Sequence, residues 1–310
     1  VQAQARFPVT SNEEMKGFDH ANYTNQTIRE LLAGRLGGYG DEPTALDNNT
    51  LAIWLEKFQT ALNSPDAAAE DIITEQNVSM MIAEYERSQA FVNTPWKQYV
   101  EGNKYALSNN AKKGALLFYS SKADGGADCA SCHQGDFFTD ESFHNVAMPQ
   151  IGPGKGDGID GSKDFGRARE TGLEADKFAF RTPSLINVEV TGPWSHAGSY
   201  TSLAAVVKHH LNPALAIETY DESQLAQFDI RNMEQMTANT TEALEAASFF
   251  AQGEEPVALN DRQVGFIVEF LQALTDPCTQ DRECLSPWIA TQEAGDSEQL
   301  NAYDQEGNLL

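Results

Sequence analysis

The chain is short of positive charge and of long hydrophobic segments, and each shortage excludes a class of protein. Among its 310 residues, 21 are lysine or arginine and 46 are aspartate or glutamate, which gives a formal net charge of −25 at pH 7. Nucleic acid and anionic membrane surfaces repel such a charge, so we expect neither as a partner. No apolar run approaches the roughly 20 residues that a membrane-spanning helix needs. The acidic balance favours a soluble protein that meets basic or neutral surfaces, or it serves solubility alone.

Runs of alternating apolar and polar residues, which mark half-buried strands, are also missing, whereas helical periodicity recurs along the chain. We therefore predict an all-α protein. The predicted helices cover residues 26–36, 51–62, 78–91, 110–119, 202–211, 241–250 and 261–274. The last helix is the best marked, because Asn260 or Asp261 can cap its first turn and Pro277 follows its end.

Only four cysteines are present, and two of them form the most informative motif of the chain. Cys129 and Cys132 are followed directly by His133, which is the Cys-x-x-Cys-His attachment site of a c-type haem. The two thiols add to the haem vinyl groups, and the histidine lies under the centre of the macrocycle, where its imidazole binds the iron. A zinc site would need a second Cys/His pair at ligand spacing, and a thioredoxin-like site would need a βαβ context. Neither pattern is visible, so the motif predicts one covalent haem c.

The other two cysteines indicate the compartment. Cys278 and Cys284 would close a short loop as a disulfide, with two free thiols as the alternative. Disulfides and covalent haem are typical of extracytoplasmic proteins, so we expect a periplasmic or otherwise extracytoplasmic location. The sequence begins at Val1 without a signal peptide, and we expect a processed product.

Two predicted helices define a haem domain. In a c-type cytochrome domain, the helix before the haem motif packs against a helix near the C-terminus, and the helices at 110–119 and 261–274 occupy these positions. Gly114 and Gly265 lie in the middle of these helices, where glycine costs about 1 kcal/mol relative to alanine. A close crossing of the two helices would explain both glycines, and two unrelated surface glycines are the alternative.

These assignments divide the chain into three parts. We predict a helical region without a haem motif over residues 1–104, a c-type cytochrome domain over residues 105–288 and a tail over residues 289–310. The tail is polar, and we expect it to be extended.

His210 is the candidate for the second axial ligand of the iron. The apolar residues of the helix at 202–211 form one face, and His210 continues that face. His209 lies about 100° further around the helix and is predicted to point to solvent or to a partner. The ordinary interpretation of an imidazole on an apolar face is a hydrogen-bonded core residue. If His210 is not the ligand, a methionine is the main alternative. The available methionines are Met148, Met233 and Met236.

Five spaced blocks follow the haem motif in order. They are Phe143–Asn145, Gly166–Arg167, Arg181–Val188, Thr191–Pro193 and Ser195–Ser199. Together with the haem motif, this array resembles the second haem domain of the bacterial dihaem cytochrome c peroxidases, whose wider family includes the methylamine-utilisation dihaem enzyme. The resemblance covers residues from about 107 to 274. It implies a dihaem cytochrome c peroxidase-like fold and a peroxidase-type haem oxidoreductase.

The resemblance also implies ligands. In the family, the second haem takes its sixth ligand fourteen residues after the histidine of the His-x-Gly block, and fourteen residues after His196 is His210. Peroxidases usually carry methionine there and the methylamine enzyme tyrosine, so this chain departs from both. Two histidine ligands imply a lower potential than methionine with histidine. The family also holds calcium between its haems, with backbone carbonyls matching those of Thr191 and Pro193 and an asparagine from a segment outside this sequence.

The N-terminal segment matches the family over fewer residues. Gln4, Pro8 and the pair Glu14–Met15 have the spacing of the residues that line the pocket over the first, catalytic haem. A carboxylate at an open iron can take a proton from peroxide and return it to the leaving oxygen, while an amide donor orients the substrate. The resemblance therefore implies acid/base catalysis by Glu14. The alternative is an ordinary helix N-terminus at residues 11–14.

The family's first haem motif lies upstream of this glutamine, so we expect the first, catalytic haem to be on a separate polypeptide, or to be lost. The resemblance implies that electrons pass from a small donor protein, a cytochrome c or a cupredoxin, through the haem of this chain to a peroxide-reducing site. Two alternatives stay open. One is peroxide-dependent oxidation of a protein side chain, as in the methylamine-type relatives, and the other is a monohaem electron-carrier subunit.

Overall fold

A computed structural model describes residues 1–12, 14–20, 22–40, 46–225, 227, 229–247 and 256–289. The described chain forms two compact units. The N-terminal unit consists of residues 1–90 together with residues 285–289, and the haem-motif unit is Phe91–Cys284. Helices are the principal regular secondary structure of both, and the strands that the structure describes are only two residues long.

Within its described residues, the N-terminal unit contains four helices. They are α1 (Asn25–Gly37), α2 (Asn48–Ala61), α3 (Ala69–Ile72) and α4 (Glu75–Ser88). Side chains cap three of them: Thr24 accepts from the third residue of α1, Asp47 does the same for α2, and Thr74 for α4. The helices enclose a small core of aliphatic residues around Phe58, against which Trp54 and Tyr39 also pack. Its buried members are Ala33, Phe58, Ile72, Ile73 and Val78.

The haem-motif unit contains the remaining helices and a short antiparallel strand pair. The helices are α5 (Pro95–Val100), α6 (Asn109–Tyr119), α7 (Ala168–Thr171), α8 (Leu203–Leu211), α9 (Pro213–Glu218), α10 (Met236–Ala246), α11 (Asp261–Gln272) and α12 (Arg282–Leu285), the last of which ends at the boundary between the units. Strand β1 (Phe143–His144) pairs with β2 (Phe180–Arg181), so that His144 lies opposite Phe180.

Each of the seven predicted helices is present, with ends shifted by up to five residues. The last three residues of the predicted helix at 241–250 lie outside the described residues.

Helices α6 and α11 cross closely at Gly114, as predicted. A Cβ atom on Gly114 would lie 1.8 Å from the carbonyl oxygen of Phe266, so no other residue fits without separating the helices. The same prediction is wrong for Gly265, because a Cβ atom there would have no heavy atom within 4 Å. Adjacent residues of a helix point about 100° apart, and α11 turns Val264 and Ile267 into the core instead.

An aromatic cluster forms the centre of the haem-motif unit. Phe118, Phe138 and Phe270 are each at most 1% exposed, and they meet edge to face or at a tilt. Trp96 joins them: its ring lies 5.0 Å from that of Phe270, and its backbone N–H donates to the carbonyl of Ala273. These contacts place residues 91–104 in the haem-motif unit, whereas the sequence pattern assigned them to the N-terminal region.

Two further features bear on the compartment and the membrane. Cys278 and Cys284 are joined by a disulfide, with their Cα atoms 5.4 Å apart. None of the helices in the described ranges combines the length and the apolar character that crossing a bilayer requires.

Candidate haem site

The haem motif lies on one tight turn against the core. Residues Cys129–Ser131 form a 3-10 turn that Asp128 enters with a left-handed backbone, at φ 55°. The backbone N–H of His133 donates to the carbonyl of Cys129 at 2.9 Å, which places the histidine directly after the turn. Cys129 packs against the core, and burial raises the pKa of its thiol to about 12. The turn therefore presents two neutral cysteines and an imidazole on a compact segment.

A core residue fixes the imidazole of His133. Its Nδ1 atom lies 3.0 Å from the carbonyl oxygen of Phe138. A carbonyl can only accept, so Nδ1 carries the proton and Nε2 keeps the lone pair that can bind a metal. Phe138 is itself held in the aromatic cluster. The ring orientation of His133 is thus set by the packing of the unit.

His210 is held in the same way. Its Nδ1 atom donates to the carbonyl of Val206, one helical turn earlier on α8, at 2.8 Å. This again leaves Nε2 as the lone-pair atom. His210 is exposed.

The two imidazoles lie close enough for their charges to interact. Burial lowers the pKa of His133 to about 4, and the proximity of His210 contributes to this shift, because two protonated imidazoles would repel each other. Two thiols for the vinyl groups and two Nε2 atoms with fixed orientation are the donor set that a bis-histidine haem c requires. The residues of the site therefore fit this group.

The orientation predicted for His209 is wrong. His209 is fully buried, where its Nδ1 atom accepts from the hydroxyl of Tyr200 at 2.8 Å and its Nε2 atom donates to the carbonyl of Val146 at 2.9 Å. The periodicity of α8 identifies only the face made of aliphatic residues. A second face is covered by Tyr200 and by the chain at Val146, and both imidazole nitrogens find partners there, so the burial is tolerated.

Asp140 was not singled out in the sequence and His144 only as a member of the block Phe143–Asn145, although both lie beside the haem motif. Their side chains meet with Oδ2 and Nε2 2.7 Å apart. Burial raises the pKa of Asp140, but hydrogen bonds from His144 and from the N–H of Ser142 lower it by more, so the overall direction is downward. Potential ligand atoms of Cys132, Asp140 and His144 lie within 4.8 Å of one another. This trio gives the zinc alternative three ligands, yet it uses the cysteine that haem attachment would consume.

His196 served in the sequence as part of the block Ser195–Ser199 and as the reference position for counting to the ligand. In the structure its Nε2 atom lies 2.9 Å from Oδ2 of Asp164, and its ring stacks on that of Phe180 at 3.6 Å. Asp164 is 6% exposed, which raises its pKa, but hydrogen bonds from His196 and from the N–H of Gly166 shift the pKa below its ordinary value. A second aspartate–histidine pair is thus fixed beside strand β2.

The predicted catalytic residues lie on the first segment of the N-terminal unit. Gln4 begins a 3-10 turn and is exposed, and Pro8 begins the next turn. The backbone N–H groups of Ser11 and Met15 both donate to the carbonyl of Pro8. These two hydrogen bonds fold the chain back on itself between Pro8 and Met15, the segment that contains Glu14. Glu14 is exposed.

The alternative of a helix N-terminus at residues 11–14 is wrong for the described part of this segment. Residues 12 and 14–16 form turns and a bend, and α1 begins only at Asn25. Glu13 lies outside the described residues.

Thr191 and Pro193, the proposed calcium carbonyls, lie on one short segment of the haem-motif unit. The hydroxyl of Thr191 donates to the carbonyl of Val188 at 3.3 Å, and the peptide bond between Gly192 and Pro193 is cis. The indole of Trp194 donates to the same Val188 carbonyl at 2.7 Å and packs against the core. This segment is therefore anchored to the core through one carbonyl and one aromatic side chain.

Comparisons with known proteins define the class to which these features belong. No protein-family model matches the chain. The methylamine utilization protein MauG of Methylophilus methylotrophus is 30% identical over 171 residues, which are 54% of this chain and 46% of that protein. The cytochrome c551 peroxidase of Nitrosomonas europaea is 28% identical over 153 residues, or 49% of this chain and 40% of that protein. The homologues of the chain are thus c-type haem peroxidases and their relatives.

More specifically, the homologues are MauG and the bacterial dihaem cytochrome c peroxidases, which confirms the resemblance predicted from the spaced motifs. MauG of Methylorubrum extorquens is 28% identical over 225 residues, which are 70% of this chain and 52% of that protein. The chain spans about half the length of the curated relatives it matches.

Two solved structures share the fold. A MauG-like protein associated with microbial copper homeostasis superposes with a TM-score of 0.58 at 21% identity, covering 93% of this chain and 72% of that one. The diheme peroxidase BthA of Burkholderia thailandensis superposes with a TM-score of 0.52 at 19% identity, covering 89% and 63%. At these identities the likeness concerns the fold alone.

Proposed function

We propose that this chain is the electron-transfer part of a dihaem cytochrome c peroxidase-like oxidoreductase. The observation that carries the proposal is the matched pair of imidazoles: His133 and His210 each donate from Nδ1 to a backbone carbonyl and keep Nε2 for a metal. Cys129 and Cys132 would hold haem c covalently, and the haem, when bound, supplies a one-electron redox centre. The proposal includes the fold class, which is an all-α architecture with a c-type cytochrome domain.

The chain's own residues would set the properties of this centre. The carbonyls of Phe138 and Val206 orient the two imidazoles and raise their basicity. The aromatic core beside Cys129 excludes water from that side. Ligation by two histidines, in place of histidine with methionine, lowers the reduction potential.

The electron donor would be a small redox protein, a cytochrome c or a cupredoxin. A formal charge of −25 on the chain favours a donor with a basic surface, because opposite charges steer the two proteins together. The haem motif and the disulfide between Cys278 and Cys284 support a periplasmic or otherwise extracytoplasmic location.

The catalytic haem would be bound by a segment outside these 310 residues, on the same or a separate polypeptide. The N-terminal unit would then be the remainder of the catalytic-haem domain. Glu14 would take a proton from peroxide and return it to the leaving oxygen, with Gln4 as the orienting donor and Pro8 lining the pocket. The carbonyls of Thr191 and Pro193 would be two ligands of a calcium ion, since carbonyl oxygens suit this cation.

Exchanging the sixth ligand tests the haem site. In holoprotein with the haem attached, His210→Met should keep a six-coordinate iron and raise its reduction potential, whereas His210→Ala should give a five-coordinate spectrum. Absorption and electron paramagnetic resonance (EPR) spectra with redox titration provide the readouts. Unchanged spectra in both variants would exclude His210 as the ligand.

Peroxide turnover tests the reaction. We expect the assembled enzyme, with both haems, to consume peroxide when a reduced donor is supplied. Failure of the intact assembly to react with peroxide would contradict the proposal and would favour the monohaem electron carrier.

A second candidate function is peroxide-dependent oxidation of a protein side chain, favoured by the match to MauG over 70% of this chain. A co-purifying protein that changes mass on peroxide addition would support it.

A further inference from the structure

Tyr200 and His209 form a buried polar pair for which the proposed haem site has no use. Tyr200 is 4% exposed and His209 is fully buried. The phenol oxygen lies 2.8 Å from Nδ1 of His209. The pair is adjacent to the proposed axial ligand, since His209 precedes His210 on α8.

The direction of the hydrogen bond follows from the other side of the imidazole. Nε2 of His209 lies 2.9 Å from the carbonyl oxygen of Val146, which can only accept. Nε2 therefore carries the proton of the neutral ring, Nδ1 has the lone pair, and the hydroxyl of Tyr200 donates to it. Burial raises the pKa of Tyr200, so the phenol keeps its proton at neutral pH.

Aromatic rings connect this pair with the haem ligand. The ring centroids of His210 and His209 are 6.0 Å apart, and those of His209 and Tyr200 are 5.5 Å apart. Electrons can cross such short distances between neighbouring rings. Tyr200 is therefore placed to exchange an electron with a redox centre bound by His210.

A buried tyrosine can be oxidised at a moderate potential only when its proton has an acceptor, because a phenol that loses an electron becomes a strong acid. The chain offers an internal contrast. Tyr220 packs against Tyr200 with ring centroids 5.6 Å apart, but its hydroxyl donates to the carbonyl of Ser199, which cannot take up a proton. Tyr200 alone of these two tyrosines faces a base.

We propose that Tyr200 is a redox-active tyrosine that stores an oxidising equivalent passed from the peroxide-reducing site through the redox centre held by His210. Tyr200 would give one electron to that centre after the centre has given one to the peroxide-reducing site, and the hydroxyl proton of Tyr200 would move along the existing hydrogen bond to Nδ1 of His209. The O–H bond of Tyr200 breaks and an N–H bond forms on His209. The products are a neutral tyrosyl radical and an imidazolium that still donates to Val146.

The cycle closes when the electron donor returns one electron to Tyr200 and the proton moves back from His209. Both partners are buried, so the step needs no proton exchange with solvent. The inference rests on the proposed function, because peroxide is the oxidant. It would allow the enzyme to hold an oxidising equivalent away from the peroxide site until a donor or a protein substrate is oxidised.

The test is EPR spectroscopy of the assembled enzyme, with both haems in the ferric state, frozen after addition of hydrogen peroxide without a donor. We expect a tyrosyl radical whose signal narrows when the protein contains ring-deuterated tyrosine. Tyr200→Phe, which removes only the hydroxyl, should lose the signal. Tyr220→Phe is the matched control and should keep it.

Peroxide consumption, measured in the same samples, distinguishes a failure of the redox role of Tyr200 from a failure of the proposed peroxidase function. If the wild-type enzyme consumes peroxide and Tyr200→Phe still gives the same radical, or no tyrosyl radical forms at all, the redox role of Tyr200 is refuted and the peroxidase function stands. If the wild-type enzyme consumes no peroxide, the proposed function fails and the inference fails with it. Unchanged haem spectra of both resting variants will show that neither substitution disturbs the ligands.

Discussion

The two units of this protein hold their candidate functional residues in different ways. In the haem-motif unit, His133 and His210 are oriented by carbonyls of residues that pack within the unit. In the N-terminal unit, Gln4 and Glu14 are exposed on a segment of short turns. The first arrangement presents a nearly complete donor set, whereas the second presents side chains whose chemistry depends on groups from outside the chain.

The cores of the two units differ in the same sense. The haem-motif unit is built around an aromatic cluster with Phe118, Phe138 and Phe270, and one of these residues supplies the carbonyl that orients His133. The N-terminal unit packs smaller residues around Phe58, and its predicted site residues are not part of that core. Packing and function are therefore coupled in one unit and separable in the other, and mutations can test this difference.

The largest expected effect on stability comes from Gly114→Ala. The added Cβ atom would meet the backbone of Phe266, which cannot move without shifting α11. We expect a loss of at least about 1–3 kcal/mol, the usual cost of overpacking, and reduced haem incorporation. Gly265→Ala is the matched control on the partner helix. It should be neutral or stabilising by up to about 1 kcal/mol, because the position is open and alanine favours a helix. Equal thermal unfolding of the two variants would refute the predicted coupling.

A smaller loss is expected when Cys278 and Cys284 are both replaced by serine. The disulfide closes a short loop, for which chain entropy gives a stabilisation of about 2 kcal/mol. Because the loop lies in the haem-motif unit, unfolding of that unit should shift to lower denaturant concentration. Unfolding followed by a probe in the N-terminal unit, such as Trp54 fluorescence, should change less. A larger shift at Trp54 would contradict the assignment of the disulfide to one unit.

Asp164→Asn should lower the free energy of unfolding by about 1–3 kcal/mol, because it removes the buried charge that is hydrogen-bonded to His196. The pKa of Asp164 is lowered in the folded protein, so its stabilisation is present above the unfolded value of 3.8. It disappears as the pH falls through the folded pKa. The difference in unfolding free energy between wild type and variant should therefore shrink in acid. A difference that stays constant down to that pH range would show that the charge of Asp164 does not matter.

The smallest effect on stability is expected for Glu14→Gln, because the side chain is exposed. The free energy of unfolding should stay within about 0.5 kcal/mol of wild type. In the assembled enzyme, however, loss of an acid/base group should lower peroxide turnover by about 10²- to 10⁴-fold. Glu56→Gln, an exposed change elsewhere in the N-terminal unit, is the control. Equal turnover of both variants would remove Glu14 from the catalytic proposal.

Some features could be predicted from local sequence because the chemistry that requires them is local. The attachment of haem needs Cys129, Cys132 and His133 at one fixed spacing, and helix periodicity and caps are read within a few turns. Glycine at the α6–α11 crossing was recognisable as an unfavourable residue in a helix, although the sequence could not tell Gly114 from Gly265. Which glycine faces the neighbouring helix depends on the rotation of α11.

Tertiary structure decided the partners of the polar side chains. His209 is buried rather than exposed because it bonds to Val146, 63 residues away, and Asp164 finds His196 across 32 residues. Periodicity describes one element at a time and contains no information about which chain segment covers its second face. The sequence by itself determined where a haem can be attached, whereas only the packing of distant segments determined how its imidazole ligands are oriented and which buried groups lie beside them.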